Sequence, residues 1–341
     1  MDINLVKQKI AGKEYEFLRN DEKLKNSIIL LTLGGSLAYG TNIEREDHVS
    51  DIDLRGIRTN SLSEVLTMEC DDKPYENKDL DVVIFPLKQM ITLLSKCNPN
   101  TIELLGTKEE HLFLLSEEGK MLRDNSDLFL SQMAGASFGG YATAQLRRLE
   151  NALARGEYPQ AKKEEHILKA MQSKLSMLQD RLCVENGNKF DLYIANSQKT
   201  GFDKEVYMDV KLKNVPFRDF KEIYGELGQI VKGFDKLNHR NSKKDEIHLL
   251  KHAMHLIRLL KMGSEILRGE GINTYREKDR DFLLDIRNGK YSYDDIFEMT
   301  NDFEGEFLYA KKHSVLPVSV DKNKINDLTM EINKKALLNV F

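Results

Sequence analysis

The stretch of sequence that decides the fold is IILLTLGGSLAYGT, residues 28–41. Its first six residues form a short apolar run with β-branched members, which predicts a buried strand. The run ends at Gly34-Gly35-Ser36, and the residues that follow predict a short helix over 37–39. Glycines at such a junction let backbone N–H groups approach an anion closely, and Ser36 adds a hydroxyl. The stretch therefore predicts a strand that leads into a phosphate-binding turn.

Acidic residues follow at strand-like positions. Asp51-Ile52-Asp53 opens the alternating segment 51–57, which predicts a strand, and residues two apart on a strand share a face. Two carboxylates on one face repel each other, and a divalent cation such as Mg²⁺ or Mn²⁺ would relieve that repulsion. Asp81 opens the next strand-like segment, residues 80–85, and completes a predicted three-carboxylate metal site.

A phosphate-binding turn beside a metal site indicates phosphoryl or nucleotidyl transfer. In that chemistry Asp81 is the best candidate for general base, because it would contact only the metal that holds the acceptor. Each motif alone is weak, since Gly-Gly-Ser turns are common and a lone Asp-x-Asp is usually a solvated strand edge. Their order along the chain is far more specific.

The motifs in this order resemble the polymerase-β-like nucleotidyltransferase superfamily. The match extends to its RNA-ligase-associated, RlaP-like family, and it rests on segments that span most of the chain. Those segments are GGSLAYGT (34–41), SDIDLRGI (50–57), LDVVIFPLKQMITLLSKCNPNTIELL (80–105), SFGGYATAQLRRL (137–149), KHAMHLIRLLKMGSEILRGEGI (251–272) and LLDIRNGKYSYDDI (283–296).

The resemblance implies an α+β fold, with a small mixed-sheet nucleotidyltransferase head and a helical C-terminal half. It implies Mg²⁺-dependent transfer of a nucleoside monophosphate to a hydroxyl, and it leaves the acceptor open. Leu37 stands where a basic residue is frequent in the family. If that basic residue contacts phosphate, this chain must supply the charge from elsewhere.

The pattern of apolar residues predicts a head over residues 1–125 and a helical domain over 126–341 that completes the cleft. The first helix is expected over 5–25, with Leu5 on its apolar face, and 41–50 is expected to be a loop. Further helices are predicted over 136–155, 161–184, 217–237, 243–268, 279–287, 293–312 and 321–340, and short strands or loops over 189–194 and 205–210.

Three residues of the 243–268 segment form a basic helix face. Lys251, His255 and Arg258 are four and three residues apart and are predicted to bind the nucleotide. The resemblance supports this interpretation, because helical modules of the superfamily often supply a lysine to the triphosphate. The alternative is a solvated basic face that has no ligand.

Other residues are candidates for contact with the substrate. Tyr141, Gln145 and Arg148 share one helix face, where they would contact a nucleobase or the acceptor, or else pack against the head. Arg55 and Arg58 follow the Asp-x-Asp motif and are expected on its face, bound to substrate phosphate or paired with the carboxylates in the absence of metal. Glu103, by contrast, is interpreted as a structural residue at a helix start.

Charge varies along the chain in a way that bears on the partner. The 341 residues sum to −4, with −8 over 1–130, +7 over 131–290 and −3 over 291–341. The basic middle segment offers a place for a polyanion such as RNA, although surface charge also fluctuates along any chain. The polar N-terminal residues, the absence of a long apolar run and the widely spaced Cys70, Cys97 and Cys183 predict a cytoplasmic protein without a membrane partner.

These observations leave several functions open. The leading hypothesis is a metal-dependent nucleotidyltransferase that takes an NTP and modifies RNA, for example a tRNA or another 3′ end. In the first alternative the reaction is still nucleotidyl transfer, but the acceptor is a protein hydroxyl or the product is a nucleotide signal. The second is an inactive nucleotide-binding sensor or scaffold, against which the costly pair of aspartates argues.

Overall fold

We describe the protein from a computed structural model. The described residues are 3–45, 48–49, 51–68, 73–157, 168, 189–198, 204–217, 220–221, 223–225, 227–228 and 246–338. Outside them lie the predicted helix over 161–184 apart from residue 168, most of the predicted helix over 217–237, and both Cys70 and Cys183.

A five-stranded mixed sheet forms the head. Its strands are β1 (Ile28–Leu33), β4 (Leu54–Arg58), β5 (Tyr75–Asn77), β6 (Val82–Pro86) and β7 (Leu112–Leu115), in the order β5-β6-β4-β1-β7. Strands β4 and β6 are parallel, and the other neighbouring pairs are antiparallel. Every residue of β1 is buried, which accounts for its continuous apolar run. This mixed sheet and the helical C-terminal region confirm the α+β fold.

Helices cover the sheet and form most of the remaining described chain. They are α1 (Ile3–Ala11), α2 (Phe17–Asn20), α3 (Gly35–Tyr39), α4 (Leu62–Leu66), α5 (Leu87–Leu94), α6 (Pro99–Ile102), α7 (Glu117–Asp124), α8 (Met133–Glu157), α9 (Glu246–Leu267), α10 (Arg280–Arg287), α11 (Tyr293–Lys312) and α12 (Lys322–Leu338). Two small hairpins pair β2 (Glu44–Arg45) with β3 (His48–Val49), and β8 (Lys189–Asn196) with β9 (Lys204–Lys211). None of the described helices combines the length and apolar character needed to cross a bilayer.

Three local predictions were wrong. The single helix expected over 5–25 is interrupted after Ala11 at Gly12, and Leu5 is exposed while Val6 takes the buried position. The expected loop over 41–50 contains the β2–β3 hairpin. The strand expected to begin at Asp51 begins at Leu54, so both aspartates of the motif precede it. A carboxylate before a strand keeps access to solvent, which a central strand position would deny it.

The chain divides into two compact units. The first comprises Met1–Gln145 and Leu250–Phe341, and the second comprises Leu146–Leu249, which includes the β8–β9 hairpin. The proposed sequence division near residue 125 stays a prediction.

Within the first unit, α10 and the segment before it hold the end of α3. Three successive carbonyl groups, at residues 39–41, accept hydrogen bonds from the 276–287 segment. The pairs are Arg276 N–H to Tyr39 O, Arg280 Nε to Gly40 O, and Arg287 Nη1 to Thr41 O. The segment after the glycine turn is therefore held by residues more than 200 positions away in the sequence.

Three helices of the first unit meet at Gly263 of α9. A Cβ at this position would lie 2.7 Å from a ring atom of Phe307 on α11 and 2.9 Å from Cβ of Phe138 on α8. Both phenylalanines are buried. The absence of a side chain at Gly263 therefore sets how closely α8 and α11 approach α9.

Replacing this glycine tests the packing. We expect Gly263→Ala to lower the free energy of unfolding by about 1–3 kcal/mol, because the two rings must move to accommodate the methyl group. The matched control is Gly305→Ala on α11, where a Cβ would meet no atom within 4 Å. There the better helix propensity of alanine should raise stability by about 0.5–1 kcal/mol. Urea unfolding measures both, and equal stability of Gly263→Ala and wild type would contradict the close approach.

Candidate active site

The centre of the site is a pair of carboxylates at one end of the sheet. Asp53 and Asp81 directly precede β4 and β6, and Leu54 pairs with Val82 in the parallel register. The N–H of Leu54 donates to the backbone oxygen of Asp81 over 3.0 Å. This register brings the two side chains within hydrogen-bonding distance of each other.

The glycine turn lies against this pair. The N–H of Gly34 donates to the backbone oxygen of Asp53 over 2.8 Å, so this N–H group is already used within the protein. Gly35 has φ +56°, and a Cβ on it would overlap the Asp53 carboxylate oxygen Oδ2. Ser36 follows at the buried start of α3. The fold thus brings together two predicted parts of the site, the glycine turn and the second aspartate of Asp-x-Asp.

Arg55 neutralises part of the negative charge. One of its guanidinium nitrogens, Nη2, lies 2.9 Å from Asp81 Oδ1 and 3.8 Å from Asp53 Oδ1, and Nη1 donates to the backbone oxygen of Asp81. This is the pairing expected of Arg55 without a metal. Arg58 was expected on the same face, and that prediction was wrong. Residues three apart on a strand point to opposite faces, and Arg58 bonds Glu64 instead.

The two aspartates have pKa values shifted in opposite directions. Burial, followed by the hydrogen bond with Asp81 and the negative charge of Asp81, raises the pKa of Asp53 to about 7. The hydrogen bond from Asp53 and the nearby Arg55 lower the pKa of Asp81. The pair therefore shares one proton, which stays with Asp53, because two adjacent carboxylates resist ionising together.

Lys251 on α9 contributes a further positive charge to this site. It lies close enough for its charge to lower the pKa of both Asp53 and Asp81. Burial, with the positive charges of Arg258 and Lys251, lowers the pKa of His255 well below its usual value. His255 is therefore uncharged at neutral pH, and its ring lies edge-on to Tyr39 with 6.0 Å between the ring centroids.

Arg258 has partners inside the protein. Its side chain is buried, with Nη1 3.2 Å from Glu103 Oε2 and the guanidinium carbon 3.7 Å from the ring centroid of Tyr39. The Tyr39 hydroxyl donates to the other Glu103 oxygen over 2.7 Å. Sequence reasoning missed this role of Glu103, because its partners are 64 and 155 residues away and no local pattern connects them.

The candidates on α8 lie in different settings. The Tyr141 hydroxyl accepts a hydrogen bond from Asn98 over 3.2 Å, and Gln145 Oε1 lies 2.8 Å from His252 Nδ1. Arg148 is exposed on the same helix, in the second unit. The roles of all three in substrate binding stay predictions.

The donor set fits a divalent cation in part. Asp53 and Asp81 supply adjacent carboxylate oxygens, and Mg²⁺ characteristically binds one or two carboxylates together with water and substrate phosphates. Asp51 is exposed, and among the described residues no three His, Cys, Asp or Glu side chains are grouped as a metal site. The structure therefore assembles a carboxylate pair, whereas the sequence predicted three carboxylates.

This arrangement agrees with what comparison with known proteins shows. A sequence model of the RlaP family, described as an RNA repair pathway DNA polymerase beta family, matches residues 9–178, about half of the chain. The chain belongs to this family. The RlaP match includes the glycine turn, both aspartates of Asp-x-Asp and Asp81, and the family points to nucleotidyl transfer. No curated protein and no solved structure matches the chain.

The shared proton predicts how stability changes with pH in protein freed of metal by EDTA. Folded Asp53 keeps its proton up to about pH 7, whereas an unfolded aspartic acid releases it near pH 4. The folded state binds more protons in this window, so the contribution of Asp53 to stability falls as pH rises through it. The lowered pKa of Asp81 changes the free energy of unfolding only at pH values below this window.

We therefore expect Asp53→Asn to gain about 1–3 kcal/mol in stability relative to wild type between pH 4.5 and pH 7.5. Chemical unfolding at several pH values measures this difference. Asp51→Asn alters an exposed carboxylate two residues away, and its free energy of unfolding should change with pH as steeply as that of wild type. Parallel pH curves for Asp53→Asn and wild type would show that no proton is shared.

Gly35→Ala tests the contact between the glycine turn and Asp53. The substitution adds two costs, a strained positive φ and an overlap with the Asp53 carboxylate. Gly271→Ala is the matched control, since Gly271 has φ +81° with no atom near a Cβ. We expect Gly271→Ala to cost about 1–2 kcal/mol from strain and Gly35→Ala to cost about 1–3 kcal/mol more. Thermal unfolding gives both values. Equal losses of stability in the two variants would exclude the close contact between Gly35 and the Asp53 carboxylate.

Proposed function

We propose that the protein is a metal-dependent nucleotidyltransferase that moves a nucleoside monophosphate from an NTP to a hydroxyl of RNA. The observation that carries the proposal is the Asp53–Asp81 pair, held against the glycine turn and faced by Lys251. Carboxylates that can bind a metal, a glycine turn and a nearby positive charge are groups that phosphoryl-transfer chemistry uses. The family assignment supports the same reaction class.

Asp53 and Asp81 are the residues that would hold Mg²⁺ or Mn²⁺, with Asp51 close by in sequence. A divalent cation supplies Lewis-acid stabilisation of the negative charge on the reacting phosphates. Lys251 relieves the same repulsion by a fixed positive charge, and the glycine turn, with Ser36, lies beside the pair to receive the phosphates. Leu37 brings no charge to the turn, so Lys251 fills part of that deficit.

Asp81 remains the proposed general base. The hydrogen bond from Asp53 and then the Arg55 guanidinium lower the pKa of Asp81, so its carboxylate is ionised at neutral pH and can accept a proton from the acceptor hydroxyl. Arg55 also donates to the backbone and side chain of Asp81 and thereby orients it. Arg55 therefore positions the proposed base. The exposed part of its guanidinium would also be able to contact a substrate phosphate.

Two observations favour RNA as the acceptor. The description of the matched family names an RNA repair pathway, and residues 131–290 of this chain carry a net charge of +7. Lys and Arg that neutralise phosphates give affinity for RNA that depends on salt and tolerates many sequences. Tyr141, Gln145 and Arg148 are the proposed contacts for a base or the acceptor end.

Incubation with each labelled NTP, Mg²⁺ and a mixed RNA pool tests this function. We expect label on RNA, and we expect the double variant Asp51→Ala with Asp53→Ala to reduce transfer about 10³-fold or more, because the phosphates lose their charge stabilisation. Asp302→Ala with Glu304→Ala removes the same charge from the exposed face of α11 and should stay at the wild-type rate.

The labelled product decides between the acceptors. Label on a protein hydroxyl or in a small nucleotide product, identified by mass spectrometry, would overturn RNA as the acceptor. It would still support nucleotidyl transfer from an NTP. NTP binding without any product would indicate a sensor or scaffold. Unchanged transfer by the double aspartate variant would exclude the proposed site.

A further inference from the structure

A buried glutamate lies between two elements that meet at the site. Glu103 lies at the start of a short 3₁₀ helix, Glu103–Gly106, and is 5% exposed. Both of its carboxylate oxygens are used, one by the Tyr39 hydroxyl at 2.7 Å and the other by Arg258 Nη1 at 3.2 Å. Its backbone oxygen accepts a further hydrogen bond from the Thr274 hydroxyl.

The arginine in this cluster depends on Glu103. Arg258 is 3% exposed, and within the described part of the chain Glu103 is the carboxylate that forms an ion pair with it. Its Nε atom is buried without a hydrogen-bond partner among the described residues. The Tyr39 ring, 3.7 Å from the guanidinium, adds a cation–π contact and no negative charge. Removal of the Glu103 charge would leave a buried arginine uncompensated.

The two partners of Glu103 belong to the two sides of the proposed phosphate site. Tyr39 ends α3, four residues after Gly35 in the glycine turn. Arg258 lies seven residues after Lys251 on α9, two helical turns away and on the same face. Glu103 therefore joins the helix that follows the glycine turn to the helix that carries Lys251.

We propose that Glu103 is a positioning residue that sets the distance between the glycine turn and Lys251 through its bonds to Tyr39 and Arg258. The inference rests on the proposed function, because it assigns the purpose of this distance to the alignment of the bound phosphates for transfer. Within the described part of the chain, Glu103 bonds Tyr39, Arg258 and Thr274, and not the carboxylate pair. Its effect passes through the two elements that it joins.

The position of the cluster distinguishes this role from ordinary core packing. An apolar residue of similar volume would fill the same space and avoid the cost of burying charge. A carboxylate that binds a hydroxyl on one element and a guanidinium on another fixes direction as well as distance. Misplacement of a reacting group by about 1 Å can reduce a rate on the order of 10²-fold, so such directional contacts have a catalytic use.

Glu103→Gln tests the proposal, because glutamine keeps the volume and loses the charge and one of the two acceptors. With the labelled NTP assay, we expect kcat to fall about 10–100-fold while KM for the NTP changes less than about threefold. Tyr39→Phe, which keeps the ring beside Arg258 and removes the hydroxyl, should give a smaller fall in kcat.

Glu64→Gln is the matched control. Glu64 accepts from a buried arginine, Arg58, at 2.8 Å and 2.9 Å, and this pair lies on the face of β4 opposite Arg55. We expect both kinetic constants of Glu64→Gln to stay within about threefold of wild type. Equal kinetic losses for Glu64→Gln and Glu103→Gln would show a general effect of lost stability and overturn the positioning role.

A double-mutant cycle with Lys251→Met asks whether Glu103 acts through Lys251. If the distance to Lys251 is what Glu103 sets, Glu103→Gln should lower kcat by less than about threefold once Lys251 is gone. A full 10–100-fold loss in the Lys251→Met background would show that the two residues act independently, and the proposal would fail.

Hydrogen exchange separates failure of this inference from failure of the proposed function. In Glu103→Gln, amides of residues 34–41 and 250–258 should both exchange faster than in wild type, and those in Glu64→Gln should not. This readout needs no activity, so it tests the coupling even if wild type transfers no nucleotide. Unchanged exchange in both segments, or faster exchange with unchanged kcat in an active enzyme, would overturn the positioning role.

Discussion

The mutual repulsion of two carboxylates is the constraint on which the site depends. Parallel pairing of β4 and β6 places Asp53 and Asp81 side by side at one end of the sheet. Without a cation, the pair is stabilised by a shared proton and by the guanidinium of Arg55. This repulsion is consistent with our proposal that the pair releases its proton when a metal ion and a phosphate bind.

Glycine at position 35 follows from the same constraint. The turn passes so close to the Asp53 carboxylate that a side chain would occupy the space of its oxygen. The turn therefore brings its backbone next to the carboxylate pair, where we propose that a phosphate and a metal bind. Because Leu37 is neutral, the proposed positive charge at the turn comes from Lys251 on α9. The C-terminal part of the chain completes this arrangement. Residues 276–287 bond the carbonyl groups of residues 39–41, and α9 carries Lys251.

Much of the fold was predictable from local pattern. The strand over 28–33 and the long amphipathic helices near 246–267 and 293–312 form close to their predicted positions, because burial on one or both faces leaves a periodic signal. The start of β4 was misplaced by three residues because alternation of polar and apolar side chains continues through Asp51-Ile52-Asp53. The break at Gly12 was missed because amphipathic spacing continues across it.

The sequence alone determined the α+β class, the family and the segments that carry the carboxylates and the glycine turn. These features depend on residue type and on spacing over a few positions, so they can be read without coordinates. Only the tertiary structure decided that Asp53 pairs with Asp81 while Asp51 stays exposed, that Arg55 and not Arg58 faces the pair, and that Glu103 joins Tyr39 to Arg258. Those contacts depend on strand register and on approaches between residues tens to hundreds of positions apart, for which the local pattern of side chains carries no signal.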